Sequence, residues 1–158
     1  MTVRTLILLR HAKAADPDDY ATDIERPLTA RGHRDAAAAG AWLEDQGLKP
    51  DAVLCSTAVR TRETLEELGV DAPVVYEHRI YTGPALDTLD LLRQAGAAVE
   101  TLLLVGHNPT LSDLSHELAP NALADRGLAT SGIAVHRFEG SWSSLTEAAL
   151  DAEHTGRG

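Results

Sequence analysis

The sequence predicts an α/β fold, a three-layer sandwich with a mostly parallel central sheet and helices on both faces. Three observations carry that prediction. Short aliphatic runs recur along the chain, of which Leu6-Ile7-Leu8-Leu9 and Leu102-Leu103-Leu104-Val105 are the clearest; such runs read as strands buried on both faces. Segments of helical periodicity separate them, which builds βαβ units. The clearest runs also end abruptly in polar side chains, and in open parallel sheets ligands bind at that edge.

The 158 residues suffice for one domain, taken as 1–158, and are too few to expect two. No apolar run approaches the roughly 20 residues of a membrane span, and no basic segment precedes a long apolar one at the N-terminus, so neither membrane nor secretion is expected. A single cysteine, Cys55, leaves no disulfide framework and fits a reducing cytoplasm. The net charge of −10 disfavours nucleic acid as a partner, because phosphate backbones reward a basic face. An acidic protein that binds an anion must gather arginine locally. A monomer without cofactor or metal is the expectation.

Leu6–Leu9 opens the chain as a core strand and delivers Arg10 and His11 to the sheet edge. A polar, Asp-rich loop, 12–27, follows, either lid or spacer. Thr29 caps a helix running to about Gln46, with Ala36, Ala39, Gly40 and Leu43 on one face and Gly47 and Pro50 beyond its end. Asp51–Cys55 is a second strand, and Ser56 or Thr57 caps the next helix, which carries Leu65 and Leu68 and closes at Gly69. Arg60 and Arg62 lie in its first turn or so, against the helix dipole, which prefers negative charge there. They point to different faces, so one of them enters a site. Val74–Tyr76 is a third strand; Gly83-Pro84 opens a helix with Leu86, Leu89 and Leu92 that runs to about Ala95. The strand Thr101–Val105 runs into Gly106-His107, with Asn108 as N-cap and Pro109 as first residue of a helix to about Leu118. From Ala119 to about Ser131 no periodicity holds. Gly132–Phe138 and roughly Thr146–Ala152 read as two further strands, and His154–Gly158 as a frayed tail.

Arg10 and His11, Arg60, and His107 thus follow separate strands at one edge of one sheet. Two arginines and two histidines beside helix starts describe a phosphoryl site. Guanidinium forks bind phosphate oxygens, a neutral imidazole can attack phosphorus, and a second can donate to an oxygen gaining charge.

The same residues carry a resemblance. Leu8-Leu9-Arg10-His11-Ala12-Lys13 resembles the RHG signature of the histidine phosphatase superfamily, and Arg26-Pro27-Leu28-Thr29-Ala30-Arg31-Gly32 its PLT-x-x-G segment. Ser56 to Thr64 resembles its S-x-x-x-R-x-x-x-T segment, and Val105-Gly106-His107-Asn108-Pro109 its V-x-H segment. The short passage from third strand to next helix resembles the SixA-type phosphohistidine phosphatases. The resemblance implies a phosphoglycerate mutase-like fold and a metal-independent hydrolase with His11 as nucleophile, passing through a phosphohistidine intermediate. It implies that Arg10, Arg60 and His107 bind the phosphoryl oxygens, and that the substrate is phosphohistidine on a protein, within signal transduction. A small phosphorylated metabolite is the alternative substrate, and an inactive phospho-binding module the alternative function.

Two positions depart from the pattern. Ala12 stands where the signature has glycine, and Thr82 at the position where many relatives carry a Glu or Asp general acid. Threonine cannot protonate a departing alkoxide at neutral pH. Imidazole, with a pKa of about 6.5, needs less help to leave, so a site without the acid favours phosphohistidine. The general acid is left unassigned; Glu77, Asp18 and Asp87 are the carboxylates the fold could still bring in.

The remaining polar residues read blandly. The cysteine-phosphatase loop C-x5-R fails, because the sixth residue after Cys55 is Thr61. His33, His78, His116, His136 and His154 show no metal-ligand spacing and read as surface or helix-end residues. Trp42 and Trp142 read as packing anchors, and the acidic Glu63–Glu67 cluster as a solvated helix face.

Overall fold

The structure is a computed structural model that describes residues 2–123 and 127–158. Six strands form one sheet: β1 (Val3–Arg10), β2 (Ala52–Cys55), β3 (Val74–Tyr76), β4 (Thr101–Gly106), β5 (Gly132–Glu139) and β6 (Ala149–Thr155). Their order is β3-β2-β4-β1-β5-β6. The first four neighbours pair in parallel; β5 pairs antiparallel with both β1 and β6. Among the described residues, five helices flank the sheet: α1 (Ala30–Asp45), α2 (Val59–Leu68), α3 (His78–Thr82), α4 (Ala85–Arg93) and α5 (Thr110–Leu118).

The three layers follow from the two-residue period of a strand. In β1, Leu6 and Leu8 face the core beneath α4 and α5, with Leu102, Leu104, Leu111 and Leu114. Ile7 and Leu9 face the core beneath α1 and α2, with Leu43, Leu65, Leu68, Leu103 and Val105. Because the aliphatic runs are buried on both faces, they show no polar alternation in sequence.

The order places the site. From β1 the chain crosses to β2 on one side, and from β4, by way of α5, it crosses to β5 on the other. The connections therefore part over the carboxyl ends of β1 and β4, which lie side by side with Arg10 opposite Gly106. That divergence marks the binding crevice of an open α/β sheet.

Several local expectations are corrected. The N-cap of α2 is Ala58 and makes no side-chain cap bond; Ser56 instead accepts the Ala58 N–H. The cap of α5 is Pro109, one residue later than expected, while Asn108 Oδ1 still accepts the Ser112 N–H. Leu86 lies on the solvent face of α4, where Leu89, Leu91 and Leu92 already fill the buried stripe. The segment 154–158 is no frayed tail: β6 runs to Thr155, the Gly156 N–H donates to the Ser131 carbonyl, and the Gly158 N–H donates to Asp35 Oδ1. The expected irregular stretch 119–131 falls partly outside the described residues, at 124–126. No helix is long and apolar enough to cross a membrane among the described residues.

Candidate active site

The structure brings Arg10, His11, Arg60 and His107 together at the carboxyl edge. His11 continues β1: its N–H donates to the Gly106 carbonyl at 3.0 Å, and its own carbonyl accepts the Ser131 N–H at 3.0 Å. His107 follows β4, and the two imidazole centroids lie 5.4 Å apart. Arg60, the second residue of α2, is buried, whereas Arg62 turns outward and stacks 4.7 Å from the Tyr76 ring centroid. Two residues on a helix are about 200° apart, so one of the pair had to leave.

Hydrogen bonds set the histidine tautomers. His11 Nδ1 lies 2.7 Å from the Ala12 carbonyl. A carbonyl only accepts, so Nδ1 carries the proton and Nε2 keeps its lone pair. His107 Nε2 lies 2.7 Å from Ser56 Oγ, which already accepts the Ala58 N–H. The Ser56 hydroxyl can then give its proton to His107 Nε2, the arrangement in which the His107 proton sits on Nδ1. Burial pushes the His11 imidazole down to about 4; the Ala12 carbonyl opposes this, and the charges of Arg60, Arg10 and Arg26 add to the fall. Burial also pushes His107 down to about 3, helped by the positive charge on His11 and Arg60. Both rings are therefore neutral at pH 7.

Among the described residues, five buried side-chain atoms lack a hydrogen-bond partner: Arg10 Nε, Arg60 Nε, His107 Nδ1, Thr88 Oγ1 and Ser131 Oγ. Three belong to the predicted cluster. Buried donors are almost always paired, so three unpaired ones in one cluster mark where an oxyanion fits.

Two hydroxyls brace this cluster, Thr64, which the sequence left without a role, and Ser56, which it offered only as a helix cap. Thr64 Oγ1 accepts the Ala12 N–H at 3.0 Å and donates to the Arg60 carbonyl at 2.7 Å, tying the start of α2 to the end of β1. Ser56 orients His107. Both lie within the segment quoted for the S-x-x-x-R-x-x-x-T resemblance, the one signal that tied them to the site. Gly32, in the PLT-x-x-G segment, lets α1 pack against the chain after His11: a Cβ there would overlap the Lys13 carbonyl.

The loop 12–27 folds over the edge through two short 3-10 turns and a bridge between Ala14 and Leu28. From it Asp23 meets the cluster: Oδ2 accepts from Arg60 Nη2 at 2.9 Å and from the Tyr81 hydroxyl at 2.7 Å, and Oδ1 accepts from Arg26 Nε at 3.0 Å. Burial works to raise the Asp23 carboxyl, but hydrogen bonds from Tyr81 and Arg60 and the Arg60 charge outweigh it and hold it well below the usual carboxylate range. The three carboxylates named as late entrants stay out of this set. Glu77 pairs with Arg79, the Asp87 carboxylate packs beside Gly83, and Asp18 is exposed in the first 3-10 turn. Thr82 is exposed and bonds back to the His78 carbonyl.

The other candidates divide. Cys55 is buried, and burial pushes its thiol up to about 12. Trp142 is buried, with Nε1 donating to the Val99 carbonyl at 2.7 Å; Trp42 stacks on His154. His33 pairs with Glu67, but Glu63 is not merely solvated, since its Oε1 accepts the Leu28 N–H at 2.8 Å. His136 is not at the surface: it is fully buried between Ser115 and the Ala148 carbonyl.

Known proteins resemble this chain in sequence and in fold. The profile described as histidine phosphatase superfamily (branch 1) matches residues 6–81. An uncharacterized protein of Mycobacterium tuberculosis is 44% identical over 145 residues, 87% of this chain and 91% of that protein. Phosphohistidine phosphatase SixA of Escherichia coli is 31% identical over 121 residues, 73% of this chain and 74% of that protein. A solved structure from Nakamurella multipartitia, provisionally assigned as phosphohistidine phosphatase SixA, superposes with a TM-score of 0.90 at 35% identity, covering 99% of this chain and 98% of that one.

Proposed function

The chain belongs to the histidine phosphatase superfamily, and from that premise we propose that it hydrolyses phosphohistidine on a protein, with His11 as nucleophile. The observation that carries this reading is the set of unpaired buried donors, Arg10 Nε, Arg60 Nε and His107 Nδ1, beside a neutral imidazole whose proton is held on the far nitrogen.

The chemistry runs in two displacements. The His11 Nε2 lone pair forms a bond to phosphorus as the substrate P–N bond breaks, and that electron pair leaves on the substrate imidazole. The departing ring carries its proton on the distal nitrogen, so no acid is required at the scissile atom. Water then attacks phosphorus, the P–Nε2 pair returns to His11, and the water's protons stay on the product phosphate. Arg10, Arg60 and His107 stabilise charge on the equatorial oxygens. Guanidinium forks do here what a metal does in other phosphoryl-transfer sites, so the reaction is proposed as metal-independent.

Substrate choice rests on the carboxylates. Thr82 cannot serve as acid, and Asp23, held ionised by Arg60 and Tyr81, has no proton to give. An alkoxide would leave such a site slowly; imidazole would not. The test is a panel comparing a phosphohistidine peptide with a sugar phosphate, together with alkaline denaturant quenching to trap phosphate on His11. We expect a higher kcat/KM on the peptide and a label lost in His11→Ala. Preference for the sugar phosphate would overturn the substrate reading, and no label during turnover would overturn the mechanism.

A further inference from the structure

A second cationic cleft opens at the same sheet edge, and the phosphoryl site does not use it. Lys13, Arg31, Asp35, Thr130 and Arg157 line a cavity of about 250 Å³. Lys13 lies two residues past His11, and Thr130 precedes Ser131, whose N–H holds the His11 carbonyl. Two residues of extended chain reach at most about 7 Å, so the cleft adjoins the nucleophile on the α1 side.

Its charge is positive within a chain of net charge −10. Among the described residues, the one carboxylate lining it, Asp35, is turned inward, with its side chain 2% exposed. It accepts the Gly158 N–H at 2.9 Å and is met only loosely by Arg31 Nε at 3.5 Å and Arg157 Nη1 at 3.6 Å. It offsets one of three cations. The Lys13 side chain is exposed and has no hydrogen bond or ion pair among the described residues. Arg31 is 58% exposed and sits in the first turn of α1, which holds no acidic residue. A helix start favours negative charge, so a cation there gains nothing from its own helix. These costs are recovered when an external anion enters.

We propose that this cleft is a specificity subsite for a carboxylate side chain of the substrate protein, an Asp or Glu two or three residues from the phosphorylated histidine. The proposal rests on the phosphohistidine reading and adds the substrate's flanking chemistry to it. Asp35 beneath the cations favours a singly charged carboxylate over a second phosphate dianion.

The test compares kcat/KM on phosphohistidine peptides that differ only in acidic or neutral flanks, in wild type, Lys13→Gln, Arg31→Gln and Lys13→Glu, read as the acidic-to-neutral ratio within each protein. Wild type should favour the acidic peptide by about tenfold, through KM, and each neutralised cation should lower the ratio about threefold, since exposed ion pairs are individually weak. Lys13→Glu should abolish or invert the preference, and added salt should shrink it in wild type. Wild-type hydrolysis of phosphoramidate, which has no second anion, reports the phosphoryl site alone. No phosphoramidate turnover would fault the functional reading itself. Turnover with equal rates on both peptides would overturn the subsite, as would an acidic preference that survives all three variants. A bisphosphorylated sugar preferred over the acidic peptide, with that preference lost in Lys13→Glu, would assign the cleft to phosphate and overturn the carboxylate.

Discussion

Two buried histidines in this molecule look alike by burial and differ in what they touch. His136, in the core beneath α5, has both ring nitrogens engaged: Nε2 with Ser115 Oγ at 2.7 Å and Nδ1 with the Ala148 carbonyl at 2.9 Å. His107, at the carboxyl edge, has Nε2 engaged by Ser56 and Nδ1 left buried and unpaired. Burial lowers the pKa of both rings. Desolvation therefore does not set the proposed site histidine apart from the core one; the unmet hydrogen bond does. A core histidine with both nitrogens paired stabilises the native state, whereas an edge histidine with one nitrogen waiting is completed only by a ligand.

The comparison can be broken by substitution. The largest effect is expected at His11, where His11→Ala should lower kcat by at least about a thousandfold, since no other group supplies the attacking atom. Arg60→Ala and His107→Ala should each cost roughly 10² to 10³ in kcat, the usual loss on removing a donor to a developing oxyanion. At His136 the pattern should reverse. His136→Ala leaves Ser115 Oγ and the Ala148 carbonyl without partners and opens a cavity, so urea unfolding should show a loss of about 2–4 kcal/mol, with kcat per folded molecule within about twofold of wild type. A His136 variant that stays stable and loses activity would refute the division.

Acid sharpens the same contrast. The unfolded chain protonates His11 and His107 near 6.5, while the native state resists until about 4 and about 3. Between those values the unfolded state binds more protons, so stability is full above about 6.5 and is lost as pH falls to about 4 for His11 and about 3 for His107. NMR of the two rings should accordingly show no titration from about pH 5.5 to 8; a midpoint near 6.5 for His11 would contradict its burial. The smallest effect is expected at Asp23. Asp23→Asn keeps an acceptor for Arg60 and Tyr81 and removes an ionised group that donates no proton. Phosphoramidate and ester hydrolysis should therefore shift together, by less than about tenfold. A selective collapse of ester hydrolysis would make Asp23 the missing acid.

Much of the site was legible because its parts are local. Arg10, His11 and His107 sit at the ends of aliphatic runs, and strand ends can be read from pattern alone. The divergence of Arg60 from Arg62 follows from helix geometry. The rest depended on contacts between distant segments. Asp23 and Tyr81 are 58 residues apart and meet over Arg60. His136 gave no sign of burial because its partners come from α5 and from Ala148. The tail is ordered because Asp35, on α1, accepts the Gly158 N–H.

The sequence by itself determined the strand runs, the helices between them and the proposed site residues at the strand ends, because each depends on the periodicity of a few neighbouring side chains. Only the tertiary structure decided which donors are left unpaired, which carboxylate reaches Arg60, and where the cations beside His11 gather. Those outcomes are set by strand order and by which surfaces close on one another, and a hydrogen bond is won or lost within a few tenths of an ångström that no local pattern encodes.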